Sequence, residues 1–131
     1  LGRPANSERF DQGRISSNLR VYRAGQPILF DRFATDGLSL IDDPVGLRGC
    51  SAHATFIATL DDLALIETVQ QRIESQKYPL LAGASLVDGL LCVRVLGEQS
   101  QTILKLLVEI WSLIRPAVVQ RQACPPRIWA T

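Results

Sequence analysis

The segment from Ser100 to Arg115 constrains this chain more than any other, because it has a helix period and is apolar around most of its circumference. Only Gln101, Lys105, Glu109 and Ser112 make a narrow polar stripe. A helix of that kind needs covering on several sides, so the rest of the chain must supply a sheet, a second helix or a partner's surface to lie against it. A membrane could also cover it, but the apolar stretch 103–119 contains Lys105, Glu109, Arg115 and Pro116. Each central charge costs about 2.5 to 3.5 kcal/mol to insert, so a core or interface helix is expected rather than a span. Pro116 should end the helix. The tail Pro125-Pro126-Arg127-Ile128-Trp129 should then run stiff and non-helical, because a proline pair fixes φ and holds its predecessor extended. Trp129 is costly to leave in water near a chain end, so the tail should dock on a core edge or in a partner's groove.

Upstream of that helix the period is mostly two. Leu19 and Val21 alternate with Arg20 and Tyr22, Gly25-Gln26-Pro27 interrupts, and Ile28 to Phe33 resumes the run, which is a hairpin pattern. Leu38 to Ile41 and Ala54 to Leu60 read as further strands, punctuated by Asp36-Gly37 and Asp42-Asp43-Pro44. At Asp61-Asp62 the spacing changes to three and four, with Leu65, Ile66, Val69 and Ile73 on one face and either aspartate available as the cap. Tyr78-Pro79 ends that helix. Two strands, Leu80 to Val87 and Leu90 to Leu96, then flank Asp88-Gly89, a dipeptide that tolerates the positive φ angles of a tight hairpin turn. The expected class is therefore α+β: β-rich, with mostly antiparallel or mixed sheets and two helices at about 62–76 and 100–115.

Composition narrows the function classes. A formal charge of +1, with lysines and arginines scattered from Arg3 to Arg127, gives no basic run for nucleic acid. Three widely spaced cysteines, Cys50, Cys92 and Cys124, do not make a disulfide framework and suit a reducing, cytoplasmic setting. No Gly-x-Ser-x-Gly elbow and no Gly-rich phosphate loop with lysine is present, so the chain does not read as an enzyme. The lone histidine gives Cys50-Ser51-Ala52-His53, a thiolate and an imidazole that nickel or zinc would accept. Two ligands fall short of the four of a structural zinc site, and the plainer reading is a loop histidine beside a small cysteine. Asp31, Asp36, Asp42, Asp43, Asp61, Asp62 and Asp88 offer weak oxygen ligands, although turn-forming and capping are the ordinary roles of such residues.

Several short motifs stand in one order along the chain: Gly2-Arg3-Pro4-Ala5-Asn6-Ser7-Glu8, Arg20-Val21-Tyr22-Arg23, Ile28-Leu29-Phe30-Asp31-Arg32, Gly83-Ala84-Ser85, Val93-Arg94-Val95-Leu96-Gly97, Trp111-Ser112-Leu113-Ile114-Arg115-Pro116 and the Pro-Pro-Arg-Ile-Trp tail. This set resembles the C-terminal half of the urease accessory protein family UreD, also called UreH. Ser7 stands where the family would have glycine. The resemblance implies a nickel-delivery scaffold that works with UreF, with the GTPase UreG through UreF, and with apo-urease. It implies no tightly bound cofactor, Ni²⁺ passing transiently along a water-filled route, and a cytoplasmic location. Partner contacts are expected at Trp111, Arg115, Arg127 and Trp129, and Cys50 and His53 are the candidate metal ligands. The chain contains no methionine, and together with the match to half a family this leads us to expect a C-terminal fragment with an open sheet edge or a self-paired, swapped homodimer. The reading from another class is a generic β-rich interaction domain that dimerises through its last helix and has no metal role.

Overall fold

Alternation along one strand organises the domain. In the computed structural model, which describes residues 12–37 and 40–130, the strand Leu90–Gly97 is buried on both sides. Leu91, Val93 and Val95 point one way at 0, 0 and 1% exposure, while Leu90 and Cys92 point the other at 2 and 6%. Such a strand needs neighbours on both edges and cover on both faces.

The element order is β1 (Arg14–Arg23), β2 (Gln26–Asp36), β3 (Ala52–Thr59), α1 (Leu63–Ser75), β4 (Leu80–Val87), β5 (Leu90–Gly97) and α2 (Ser100–Val119), followed by a 3₁₀ turn at Arg127–Ala130. β1 and β2 form an antiparallel pair, and β5 lies between β3 and β4 in a second antiparallel sheet. The α+β expectation therefore holds, with five strands and two helices among the described residues.

Both helices cover one face of the three-stranded sheet. Ile66, Val69 and Ile73 of α1 and Ile103, Leu106, Ile110 and Ile114 of α2 close on Leu91, Val93 and Val95, with Phe56, Ala82 and Ala84 at the margin. Asp62 caps α1: its carboxylate accepts from the Leu65 N–H at 3.2 Å, supplying a partner that the first turn lacks. Side-chain amides of α1 and its cap reach β4, Gln70 Nε2 donating to the Ala84 carbonyl at 3.2 Å and Gln76 Nε2 to that of Leu80 at 3.5 Å.

The hairpin lies against part of the opposite face, where Leu90 and Cys92 are buried while Thr55, Leu81, Val87 and Arg94 stay exposed. Leu29, Asp31, Phe33 and Thr35 of β2 turn inward and the residues between them outward, the period-two signature of a half-buried strand. Three contacts tie it down: Phe33 stacks on His53, Arg94 pairs with Asp31 at 3.1 Å, and Arg23 donates to the Gly89 carbonyl at 3.4 Å.

Three expectations are corrected. The strand at Leu38 to Ile41 lies partly outside the described residues, and Leu40 and Ile41 sit in turns. Their carbonyls accept from Leu47 (2.9 Å) and Gly49 (2.7 Å), while the Asp43 carboxylate accepts from Val45 at 2.8 Å, so local turns use the groups that a ladder would need. Second, α2 runs past Pro116 to Val119. A proline removes one i→i−4 bond and crowds one carbonyl, a local cost that a single further turn tolerates, and Gln120 then stops the helix in the left-handed region at φ 53. Third, the tail is not extended: Trp129 N–H donates to the Pro126 carbonyl at 3.0 Å and winds Arg127–Ala130 into a 3₁₀ turn. Proline's φ is already that of such a turn, so Pro126 starts it. The Gly-Arg segment at 2–8 lies outside the described residues.

Candidate partner-binding face

The face of α2 turned away from the sheet is only partly covered. Its buried positions, Ile103, Leu106, Ile110 and Ile114, form one stripe, whereas Leu104, Leu113, Val118 and Val119 stay 36 to 47% exposed. As expected of a helix enclosed on several sides, α2 packs on α1, β3 and β5 and carries the folded-back Trp129, while Leu104 and Leu113, half a turn apart around its axis, mark the two edges of its packed side. No helix there is long and apolar enough to cross a membrane.

On that face the structure brings together three of the four expected contact residues. The rings of Trp111 and Trp129 meet edge to face, with centroids 5.1 Å apart and planes at 77°. The Arg115 guanidinium lies 4.9 Å from the centre of the Trp111 ring, and its Nε donates to the Gln122 carbonyl at 3.3 Å, so one side chain holds both the indole and the chain leaving the helix. Arg127 is exposed on the 3₁₀ turn. The tail's fold-back is what sequence left undecided; it is set by the turn at Pro126 and the Trp111 ring waiting on α2.

Beside the indole pair is a groove of about 450 Å³ lined by Tyr78, Gln101, Leu104, Lys105, Val108, Glu109 and Trp129. Glu109 is committed, accepting from Arg72 at 2.5 Å and from the Tyr78 hydroxyl at 3.3 Å, which ties α2 to α1 and to the entry of β4. Tyr78, Lys105 and Glu109 were missed as groove residues. The polar stripe of α2 contained Lys105 and Glu109, but only the packing of Tyr78 and Trp129 around them makes a concave surface.

The Cys-x-x-His pair is placed differently. Cys50 is half-buried just after the turns at 44–49, and His53 is on β3, facing the hairpin, with its ring 4.2 Å from that of Phe33 and tilted by 30°. Burial against the hairpin lowers the His53 pKa, and the Asp31 carboxylate opposes that shift. Burial likewise raises the Cys92 thiol pKa, with Arg94 working against it. Among the described residues no three His, Cys, Asp or Glu side chains gather where a metal ion could be held.

The fold and this face define a small α+β domain: a sheet and helix core presenting a groove with an aromatic rim. Comparison with known proteins is specific. The family model described as UreD urease accessory protein matches residues 1–130. Urease accessory protein UreD of Pseudomonas entomophila (strain L48) is 45% identical over 131 residues, all of this chain and 45% of that protein. The UreD proteins of Alcanivorax borkumensis and Pseudomonas fluorescens Pf-5 are 37% and 39% identical, again over all of this chain and over 45% and 46% of their own lengths. This chain belongs to the UreD family of urease accessory proteins, and it spans about half the length of these curated relatives.

Proposed function

We propose that this chain acts in urease maturation as a scaffold, performing no covalent chemistry itself, whose α2 face docks another member of the maturation machinery. The single observation that supports this is the Trp111–Trp129–Arg115 cluster on α2 with the adjoining groove, at whose rim Leu104 stays exposed. Aromatic and arginine side chains around a concave apolar surface are the usual anchors of protein interfaces. UreF is the partner assigned to this face, with UreG recruited through UreF and apo-urease completing the complex in the cytoplasm. Ni²⁺ is cargo in this reading, held transiently by weak oxygen and water ligands rather than by a built site.

The test is co-purification of the chain with UreF and apo-urease, using wild type and a Leu104→Asp variant that changes the groove and leaves the buried stripe intact. Loss of UreF with unchanged melting supports the assignment; full retention removes α2 as the docking face. The same groove would equally serve a homodimer through α2, and sedimentation of the isolated chain separates the two, since a dimer abolished by the same variant favours self-association. Nickel is tested by calorimetry: weak binding that survives Cys50→Ser/His53→Ala is expected, and a tight 1:1 site lost in that variant would promote the Cys50 and His53 pair to ligands.

A further inference from the structure

We propose that the outward face of the β1–β2 hairpin is a second docking surface, and that it takes an acidic protein segment in which a large apolar side chain is flanked by carboxylates. This surface is separate from α2, because the three-stranded sheet lies between them: the hairpin's inward residues Asp31 and Phe33 meet Arg94 and His53 on the face opposite the helices.

Register places the chemistry. Arg20 sits directly across from Phe30, and Arg32 across from Asn18, so the two arginines lie on the same side of the ribbon, one cross-strand pair apart. Past the irregularity at Val21/Tyr22, Tyr22 stands across from Pro27. Phe30 and Tyr22 are 58 and 56% exposed, an unusual state for two large aromatic side chains so close together on one strand pair. Between them is a cleft of about 220 Å³ lined by Arg20, Tyr22, Pro27, Leu29 and Phe30, with room for one aliphatic or aromatic side chain. The Arg20 guanidinium is held 5.0 Å from the centre of the Phe30 ring, which orients its N–H fork without neutralising it. Arg20 and Arg32 make no ion pair among the described residues, whereas Arg72 and Arg94 elsewhere are paired with Glu109 and Asp31.

An oriented, uncompensated arginine beside an apolar cleft is complementary to a carboxylate next to a hydrophobic side chain, since a guanidinium bonds a carboxylate through two parallel N–H groups. Arg14, Arg20 and Arg32 on this side of the ribbon, the first directly across from Asp36, are too few on a chain of formal charge +1 for a nucleic-acid backbone or an anionic bilayer, which are bound by broader basic surfaces.

A displayed library of random dodecapeptides, selected on the immobilised chain, tests this. Selected sequences should carry Asp or Glu within two positions of Phe, Leu, Ile or Trp. A fluorescein-labelled member should bind about tenfold or more weakly to Arg20→Glu/Arg32→Glu, lose affinity on Phe30→Ala, and weaken as salt is raised. All three side chains are exposed, so the variants should keep the wild-type circular dichroism and melting. Trp111→Ala should leave peptide binding unchanged, which distinguishes this surface from the α2 face. Selection of peptides without acidic residues, or of none whose binding depends on Arg20 and Arg32, overturns the proposal. So does Arg20-dependent binding to phosphatidylserine vesicles or to a single-stranded oligonucleotide without such peptides, since it would assign the face to lipid or nucleic acid.

Discussion

Replacing Trp111 and Trp129 with alanine, singly and together, asks whether the tail is held to α2 by the contact between the two rings. Their centroids are 5.1 Å apart at 77°, inside the range in which edge-to-face pairs contribute about 0.5 to 1.5 kcal/mol beyond burial. Both side chains are half-buried, so each truncation should itself cost roughly half of the 3 to 5 kcal/mol of a fully buried ring, about 2 kcal/mol. Trp111→Ala should cost about 0.5 to 1 kcal/mol more than Trp129→Ala, because it also removes the Arg115 contact at 4.9 Å. Urea unfolding followed by far-UV circular dichroism gives the four free energies, and the double variant should fall short of additivity by about 1 kcal/mol. Additivity within about 0.3 kcal/mol, the scatter of independent sites, would refute the ring contact and leave the tail unanchored. The same variants carry a second readout. If the pair forms the rim of the docking groove, UreF affinity should fall for both, by more than the change in folded fraction explains.

Further outcomes follow from the backbone and from the lone histidine. Ala24 occupies φ 47 beside Gly25 at φ 80, a turn whose first position disfavours a Cβ, so Ala24→Asn should raise stability by up to about 1 kcal/mol; an unchanged urea midpoint would show that no strain is stored there. A Cβ on Gly46 would run into the carbonyl oxygen of Leu40 as well as its side chain, and backbone cannot rotate away. Gly46→Ala should therefore cost about 1 to 3 kcal/mol and lower the melting temperature, and wild-type melting would count against the packing of that turn. The His53 pKa is lowered in the fold, so between that value and 6.5 the unfolded chain binds more protons than the folded one. Stability should thus decline as pH falls through 6.5, with the loss complete below the folded pKa. His53→Gln should flatten this part of the profile, and an unaltered slope would place its origin elsewhere.

Much of the architecture was legible from period and punctuation. The i, i+3, i+7 spacing of Ile66, Val69 and Ile73 places α1, Asp62 marks its start, and Asp88-Gly89 marks the β4–β5 turn, where both residues take positive φ. These are local properties: a cap or a left-handed turn is decided by residues within four positions of one another. The turns at 40–49 and the length of α2 were not legible: Leu38 to Ile41 has a strand's composition but local hydrogen bonds outweighed it, and Pro116 reads as a stop although a helix tolerates one proline for a single further turn.

The candidate site divides in the same way. Family membership, the two tryptophans and Arg115 could be taken from the chain in order, since motif residues are recognised by type and sequence position. Their meeting could not, because Trp111 and Trp129 are brought together by a 3₁₀ turn and a fold-back across the residues between them. Nor could the groove, to which Tyr78 comes from before β4 and Lys105 and Glu109 from α2, or the stacking of His53 on Phe33, which turns the imidazole toward the hairpin. One-dimensional pattern determined which segments form helices and strands and which faces are apolar. Only tertiary packing decided which apolar side chains stay uncovered, because burial depends on how much surface the other elements can cover: here two helices close one face of the sheet, the hairpin shields Leu90 and Cys92 on the other, and Leu81, Val87 and Leu104 are left in water.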